Sequence, residues 1–149
     1  MSVSGKSQYH HQDLYQAVLR EGRRFVETCG HTDLSLRRIA ETVGVAPSAL
    51  YHHFKNRRAI LIAVAESGFA DLHAMVPDEE EFRALAPKGR LRVLAKSFII
   101  FAQKNQQLFR LMYESDMTGV DAEEEILAAQ NVGYELMLKS FKAAYSSEN

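Results

Sequence analysis

Three observations predict an all-helical chain. Apolar residues recur three and four positions apart, as in Leu36, Ile39, Ala40 and Val43, which is the period of a helix with one buried stripe. No stretch alternates apolar and polar residues over the length a half-buried strand needs. Glycine and proline fall between the periodic segments, at Gly30, Gly44, Pro47, Pro77 and Pro87, where helices stop and start. With 149 residues, 46% of them hydrophobic, the chain is long enough to bury a real core.

Taken in order, residues 1–11 are polar and aperiodic and are expected to form a flexible arm. Residues 12–29 place Leu14, Ala17, Val18, Phe25 and Val26 on one side of a first helix, which Gly30 stops. Arg20, Arg23 and Arg24 lie on its outer face. A second, short helix spans residues 35–43, with Ser35 at its N-cap, where the hydroxyl can accept an orphan N–H. Gly44 supplies the left-handed residue after it. Pro47, which has no N–H to waste, opens a third helix expected to reach Phe54, with Leu50 and Phe54 facing inward. Asn56 is placed to cap a long helix carrying Ile60, Leu61, Val64, Ala65, Phe69, Leu72 and Met75, ended by Pro77. An acidic run, Asp78 to Glu81, then fits a first helical turn or loop, followed by Phe82 and Leu85 and a break over residues 87–89. Helices are expected at residues 90–104, 106–116 and from about 121 to 145, with a break at residues 117–119.

Two short helices joined by a tight glycine-containing turn make a helix-turn-helix, whose second helix fits the major groove of DNA. The first helix packs across them and completes a core that two short helices alone are too small to form. Charge is distributed to suit. Residues 1–60 hold nine Lys/Arg against five Asp/Glu and residues 61–149 nine against fourteen, so about +4 faces about −5.

The wording of this stretch resembles the DNA-binding domain of the TetR family of bacterial transcriptional regulators. The resemblance rests on Ile39-Ala40, Gly44-Val45, the run Leu50-Tyr51-His52-His53-Phe54, Asn56-Arg57 and the pair Ile60-Leu61. It implies an N-terminal three-helix DNA-binding domain over residues 1–56, joined by a long helix to a helical ligand-binding and dimerisation domain over residues 57–149. It further implies a ligand-responsive repressor, bound as a homodimer to a pseudo-palindromic operator in double-stranded DNA. Members usually end in two helices that form the dimer, whereas this sequence ends just after one long helix, so those two are expected to be lacking. The alternative is a truncated interaction protein that binds a partner or small molecule without specific DNA recognition.

Chemistry assigns candidate DNA contacts. Arg37 and Arg38 crowd a helix end that the macrodipole makes positive, an arrangement that costs stability unless an anion compensates. Pro47, Ser48 and Ala49 lie where base edges are read; small side chains there allow close approach, and Ser48 can hydrogen-bond to bases or phosphate. The resemblance implies that Tyr51 and His53, with His52 between them, lie at the phosphate backbone. It also shows a departure, since Ala46 stands where a capping side chain is usual. Lys55, Arg57 and Arg58 surround the start of the long helix. Arg57 matches the family's phosphate-clamping lysine, and its guanidinium could hold a phosphate bidentately.

In the body, Phe69, His73, Phe98, Phe101, Phe109, Met112, Tyr113, Met117, Tyr134 and Met137 could line a cavity for a small apolar or aromatic effector, or serve as ordinary core packing. Other classes find little support. The single cysteine, Cys29, forms no intramolecular disulfide framework, and six histidines without HExxH or Cys/His spacing point to no metal. No nucleophile elbow, phosphate loop or dinucleotide fingerprint occurs, so neither an enzyme nor a cofactor is expected. With no long apolar run and no apolar signal core, a cytoplasmic location is expected.

Overall fold

A computed structural model describes residues 4–113 and 124–146. The described residues are mostly helical, and no strand occurs among them. The helices run α1 (Ser4–Cys29), α2 (Leu36–Val43), α3 (Pro47–Leu50), α4 (Arg57–Ala74), α5 (Glu79–Ala84), α6 (Pro87–Lys104), α7 (Gln106–Tyr113) and α8 (Glu124–Tyr145). They divide into two compact units, Met1–Val64 and Ala65–Asn149. This division falls inside α4 and not before Arg57, where the sequence reading set its boundary. The first two turns of α4 deliver Ile60, Leu61 and Val64, all at most 3% exposed, to the first core. None of the described helices is long and apolar enough to cross a membrane.

In the first unit α1 packs on α2, and α2 on α3. Val18, Val26, Leu34, Ile39, Ala40, Leu50 and Phe54 are all buried there. Gly22 marks the tightest approach. A Cβ at that position would stand 3.0 Å from Ile60 Cγ2 and 3.4 Å from Val64 Cγ2, so the missing side chain lets α4 lie against α1.

Three expectations about element limits change. The backbone is helical from Ser4, where the sequence predicted an arm through residue 11; no proline interrupts the stretch, and a nucleated helix gains one hydrogen bond per added residue. Helix α3 ends at Leu50 instead of Phe54, and the chain continues as a turn in which the N–H groups of His53 and Phe54 share Leu50 O, at 2.9 and 2.8 Å. Residues 87–89, expected to be a break, form the first turn of α6, with Pro87 in the position a helix tolerates best. The expected break at residues 117–119 and the expected helix start at residue 121 lie outside the described residues.

In the second unit α6 packs along α8 and against α7. Phe69, Phe101, Leu108, Leu111, Met112 and Ile126 are at most 2% exposed. A Cβ at Gly68 would fall 2.6 Å from Met112 Sδ and 3.2 Å from Leu108 Cγ, so α4 and α7 are in contact only because that position is bare. Asp78 caps α5 by accepting from Glu81 N at 2.9 Å, which converts the acidic run into a helix start. Arg90 secures the following corner, donating to Leu85 O and Arg83 O and lying over the Phe82 ring.

Candidate nucleic-acid interface and ligand cavity

The helix-turn-helix is assembled by local signals. Gly44 ends α2 at φ 80°, and its N–H donates to Ala40 O at 2.9 Å and Glu41 O at 3.3 Å, while Val45 N reaches Ala40 O at 3.0 Å. That left-handed residue closes the turn. Ala46 enters α3 with no side-chain cap, as its lack of a polar atom requires. Asn56 Oδ1 accepts from Ala59 N at 2.9 Å and so caps α4.

Leu50 and Phe54 are buried, and Tyr15 stacks on Phe54 with ring centroids 5.0 Å apart. With that side anchored, Pro47, Ser48, Tyr51, His52 and Lys55 are exposed, while Ala49 is half-buried. His53 does not join the exposed set fully; its ring meets Tyr15 edge-on at 6.2 Å and is half-buried. Tyr51 is 58% exposed, an unusual state for a large aromatic ring in a packed domain.

Other sequence candidates behave differently from expectation. Ser35 has the extended backbone of an N-cap but its hydroxyl makes no capping bond, so the first N–H groups of α2 are not satisfied by it. Arg37 pairs with Glu41 at 3.0 Å, one helical turn on, so the anion expected to offset it comes from its own helix. The Arg38 guanidinium lies 5.0 Å from the centroid of the Phe25 ring on α1.

Arg57 departs most. Its Nε donates to Leu34 O at 2.9 Å, and its Nη2 donates to Thr32 O at 2.9 Å and to His31 O. The Nε–Nη2 edge of the guanidinium, one of the two that could grip a phosphate bidentately, is therefore turned onto three carbonyls of the loop between α1 and α2. Those carbonyls follow Gly30, itself at φ 79°, and belong to no helix, so a fork of donors is what such a loop lacks.

The second unit contains a cavity of about 530 Å³. Six of the ten sequence candidates line it: Phe69, His73, Phe98, Tyr113, Tyr134 and Met137. Phe101 and Met112 do not, being core residues at 2% and 0% exposure. Phe109 packs its ring on Phe98 and Tyr113, with centroids 5.1 and 4.7 Å away, and supports the wall from behind. Met117 lies outside the described residues.

Sequence periodicity does not register the polar part of the lining, Ser97, Gln130 and Asn131, nor Gly133. A mid-helix glycine was the available signal, since it costs about 1 kcal/mol against alanine unless space is needed there. Ser97 Oγ donates to Met75 O at 3.2 Å and Gln130 Nε2 to Met112 O at 3.0 Å. Burial pushes the His73 imidazole below its ordinary 6.5 and the Tyr113 phenol above its ordinary 10.0.

A left-handed glycine turn between two short helices, with the far side of the second helix exposed and polar, defines a domain of the helix-turn-helix class. Residues 18–64, about a third of the chain, match the family described as bacterial regulatory proteins, tetR family. Tetracycline repressor protein class C of Escherichia coli is 38% identical over 71 residues, which are 46% of this chain and 32% of the relative. The HTH-type transcriptional repressor AcnR of Corynebacterium diphtheriae is 30% identical over 63 residues, 42% of this chain and 33% of the relative. The matched segment thus spans about a third of these curated relatives. Among solved structures, a protein of unknown function from a Rhodococcus species superimposes with a TM-score of 0.75 at 29% identity, covering 90% of this chain and 69% of the other. The TetR family transcriptional regulator PfmR from Thermus thermophilus shares the fold at a TM-score of 0.66 and 21% identity, over 87% of this chain and 71% of its own.

Proposed function

We propose that this protein is a sequence-specific, ligand-responsive repressor that acts in the cytoplasm as a homodimer on a pseudo-palindromic operator. The observation that carries the reading is the exposed set Ser48, Tyr51, His52 and Lys55 on and just beyond α3, held outward by the buried Leu50 and Phe54. Pro47, Ser48 and Ala49 read base edges, with Tyr51, His52, His53 and Lys55 on the phosphates and the uncapped start of α2, with Ser35 and Arg37, on the same backbone. Arg57 holds the loop after α1, and Arg38, although exposed, lies over the Phe25 ring. The names of the relatives, repressors both, support the sign of regulation.

Two copies would set their α3 helices about one helical turn of DNA, roughly 34 Å, apart. On α8, Leu127, Asn131, Tyr134, Leu138, Phe141 and Tyr145 recur at heptad spacing and are exposed, which supports pairing of two copies through this helix. The effector occupies the cavity. There it contacts Phe69, Leu72 and His73 of α4, the helix whose first residue is Arg57, so a shift of α4 changes the presentation of α3.

Fluorescence anisotropy of labelled DNA flanking the protein's own gene, against a scrambled duplex across a salt series, tests this reading. A preference of a hundredfold or more, lost in Tyr51→Ala, is expected. Equal weak binding to both duplexes would sink specific recognition and leave the apolar stripe of α8 as the working surface of an interaction protein.

A further inference from the structure

We propose that the cavity of the second unit accepts an uncharged, flat aromatic molecule carrying at least one hydrogen-bonding group, an inference that rests on the reading of this cavity as the effector site. Its volume of about 530 Å³ is in the range that encloses a ligand of drug size. Four rings, Phe69, Phe98, Tyr113 and Tyr134, contribute to its walls. Tyr113 meets Phe69 and Phe98 edge-on, with centroids at 5.5 and 5.7 Å. Crossed rings of this kind present both faces and edges, which suit a planar guest.

The polar lining decides the charge. Among the described lining residues there is no Asp, Glu, Lys or Arg; the polar groups are the His73 imidazole, the Ser97 hydroxyl and the Gln130 and Asn131 amides. Two of these are already engaged, Ser97 Oγ with Met75 O and Gln130 Nε2 with Met112 O, and are held in place by those bonds. An ammonium or a carboxylate entering here would give up its water and find no countercharge among the described lining residues, whereas a hydroxyl or carbonyl needs only the hydrogen bonds that imidazole and amides offer. Burial disfavours the charged form of His73 and so adds no cation to the lining. Gly133 provides the room. A Cβ there would stand 3.7 Å from His73 Nε2 with no nearer atom, so any side chain at this position would enter the space beside the imidazole.

Three isosteric probes separate the possibilities: 9-phenanthrenemethanol, phenanthrene-9-carboxylate and 9-phenanthrenemethylammonium, titrated by their own fluorescence against the full chain at neutral pH. The alcohol is expected to bind at least tenfold more tightly than either ion. Gly133→Leu should abolish its binding, and Gly133→Ala, which adds one methyl at ordinary contact distance and keeps the helix, should weaken it several-fold. Gly133→Asp should bring the ammonium level with the alcohol or ahead of it. An ion that binds the unaltered chain as tightly as the alcohol, alcohol binding indifferent to the Gly133 variants, or no binding by any probe would each overturn the inference. DNA release is read separately: the expected order of binding without any change in DNA anisotropy upholds the ligand class and refutes the effector role of the cavity.

Discussion

Replacing Arg57 distinguishes a residue that would touch DNA itself from one that builds the proposed DNA-binding surface. In Arg57→Ala three donor contacts disappear: Nε to Leu34 O and Nη2 to His31 O, both part-buried, and Nη2 to Thr32 O, which is exposed. A hydrogen bond to a charged group contributes about 1.5 kcal/mol at the low end of the usual range where water is partly excluded, and roughly 0.5 kcal/mol where it is not. Because one guanidinium shares the contacts, a total of about 3 kcal/mol is an upper figure, and a loss of about 2–3 kcal/mol is expected from urea unfolding. For a chain of this size that lowers Tm by about 4–12 °C. Arg57→Lys should recover less than half, since an ammonium has no fork to span three carbonyls. Salt titration of DNA binding supplies the second readout. Loss of a phosphate contact reduces the slope of log affinity against log salt by about 1, whereas loss of an internal clamp leaves it unchanged while the domain is folded. The clamp is refuted by an Arg57→Ala protein that loses under about 0.5 kcal/mol of stability and about one unit of slope.

Other positions give independent tests. Gly44→Ala meets no atom within 4 Å, so its cost is the left-handed backbone alone, about 1–2 kcal/mol, with Gly44→Asn losing less; thermal unfolding of both variants checks this. Gly68→Ala gains roughly 1 kcal/mol in helix propensity but forces a methyl to 2.6 Å from Met112 Sδ, an overpacking cost of about 1–3 kcal/mol, so a net loss is expected by urea unfolding. His73 has a lowered folded pKa, so the unfolded chain binds its proton first as pH falls. Stability from this residue is intact above about pH 6.5 and declines below it until the folded pKa is passed, and His73→Asn should flatten that part of a Tm-against-pH curve relative to the unaltered chain.

Much of the helical layout was legible in the sequence because its signals act within a few residues. Gly44 caps α2 through carbonyls three and four positions back, and Asn56 caps α4 three positions ahead. Such bonds depend on local backbone shape, which residue type and spacing determine before any tertiary contact forms. The stripes that bury Ile39, Leu50 and Phe54 follow from helical period and leave Ser48, Tyr51 and His52 outward by default.

Tertiary structure decided what spacing along the chain does not encode. The carbonyls that hold Arg57 lie 23, 25 and 26 residues away, so its role could only appear once α4 had been brought against the loop after α1. The absence of a side chain at Gly22 and at Gly68 acquires meaning only from Ile60 and Met112, which pack there. An aromatic at helical period says that a side chain faces inward but not what it meets: Phe101 meets packed neighbours, and Phe98 meets a cavity. Local hydrogen bonds and apolar periodicity are short-range properties of the sequence, whereas a clamp, a close approach and a void are relations between helices and exist only after those helices have packed.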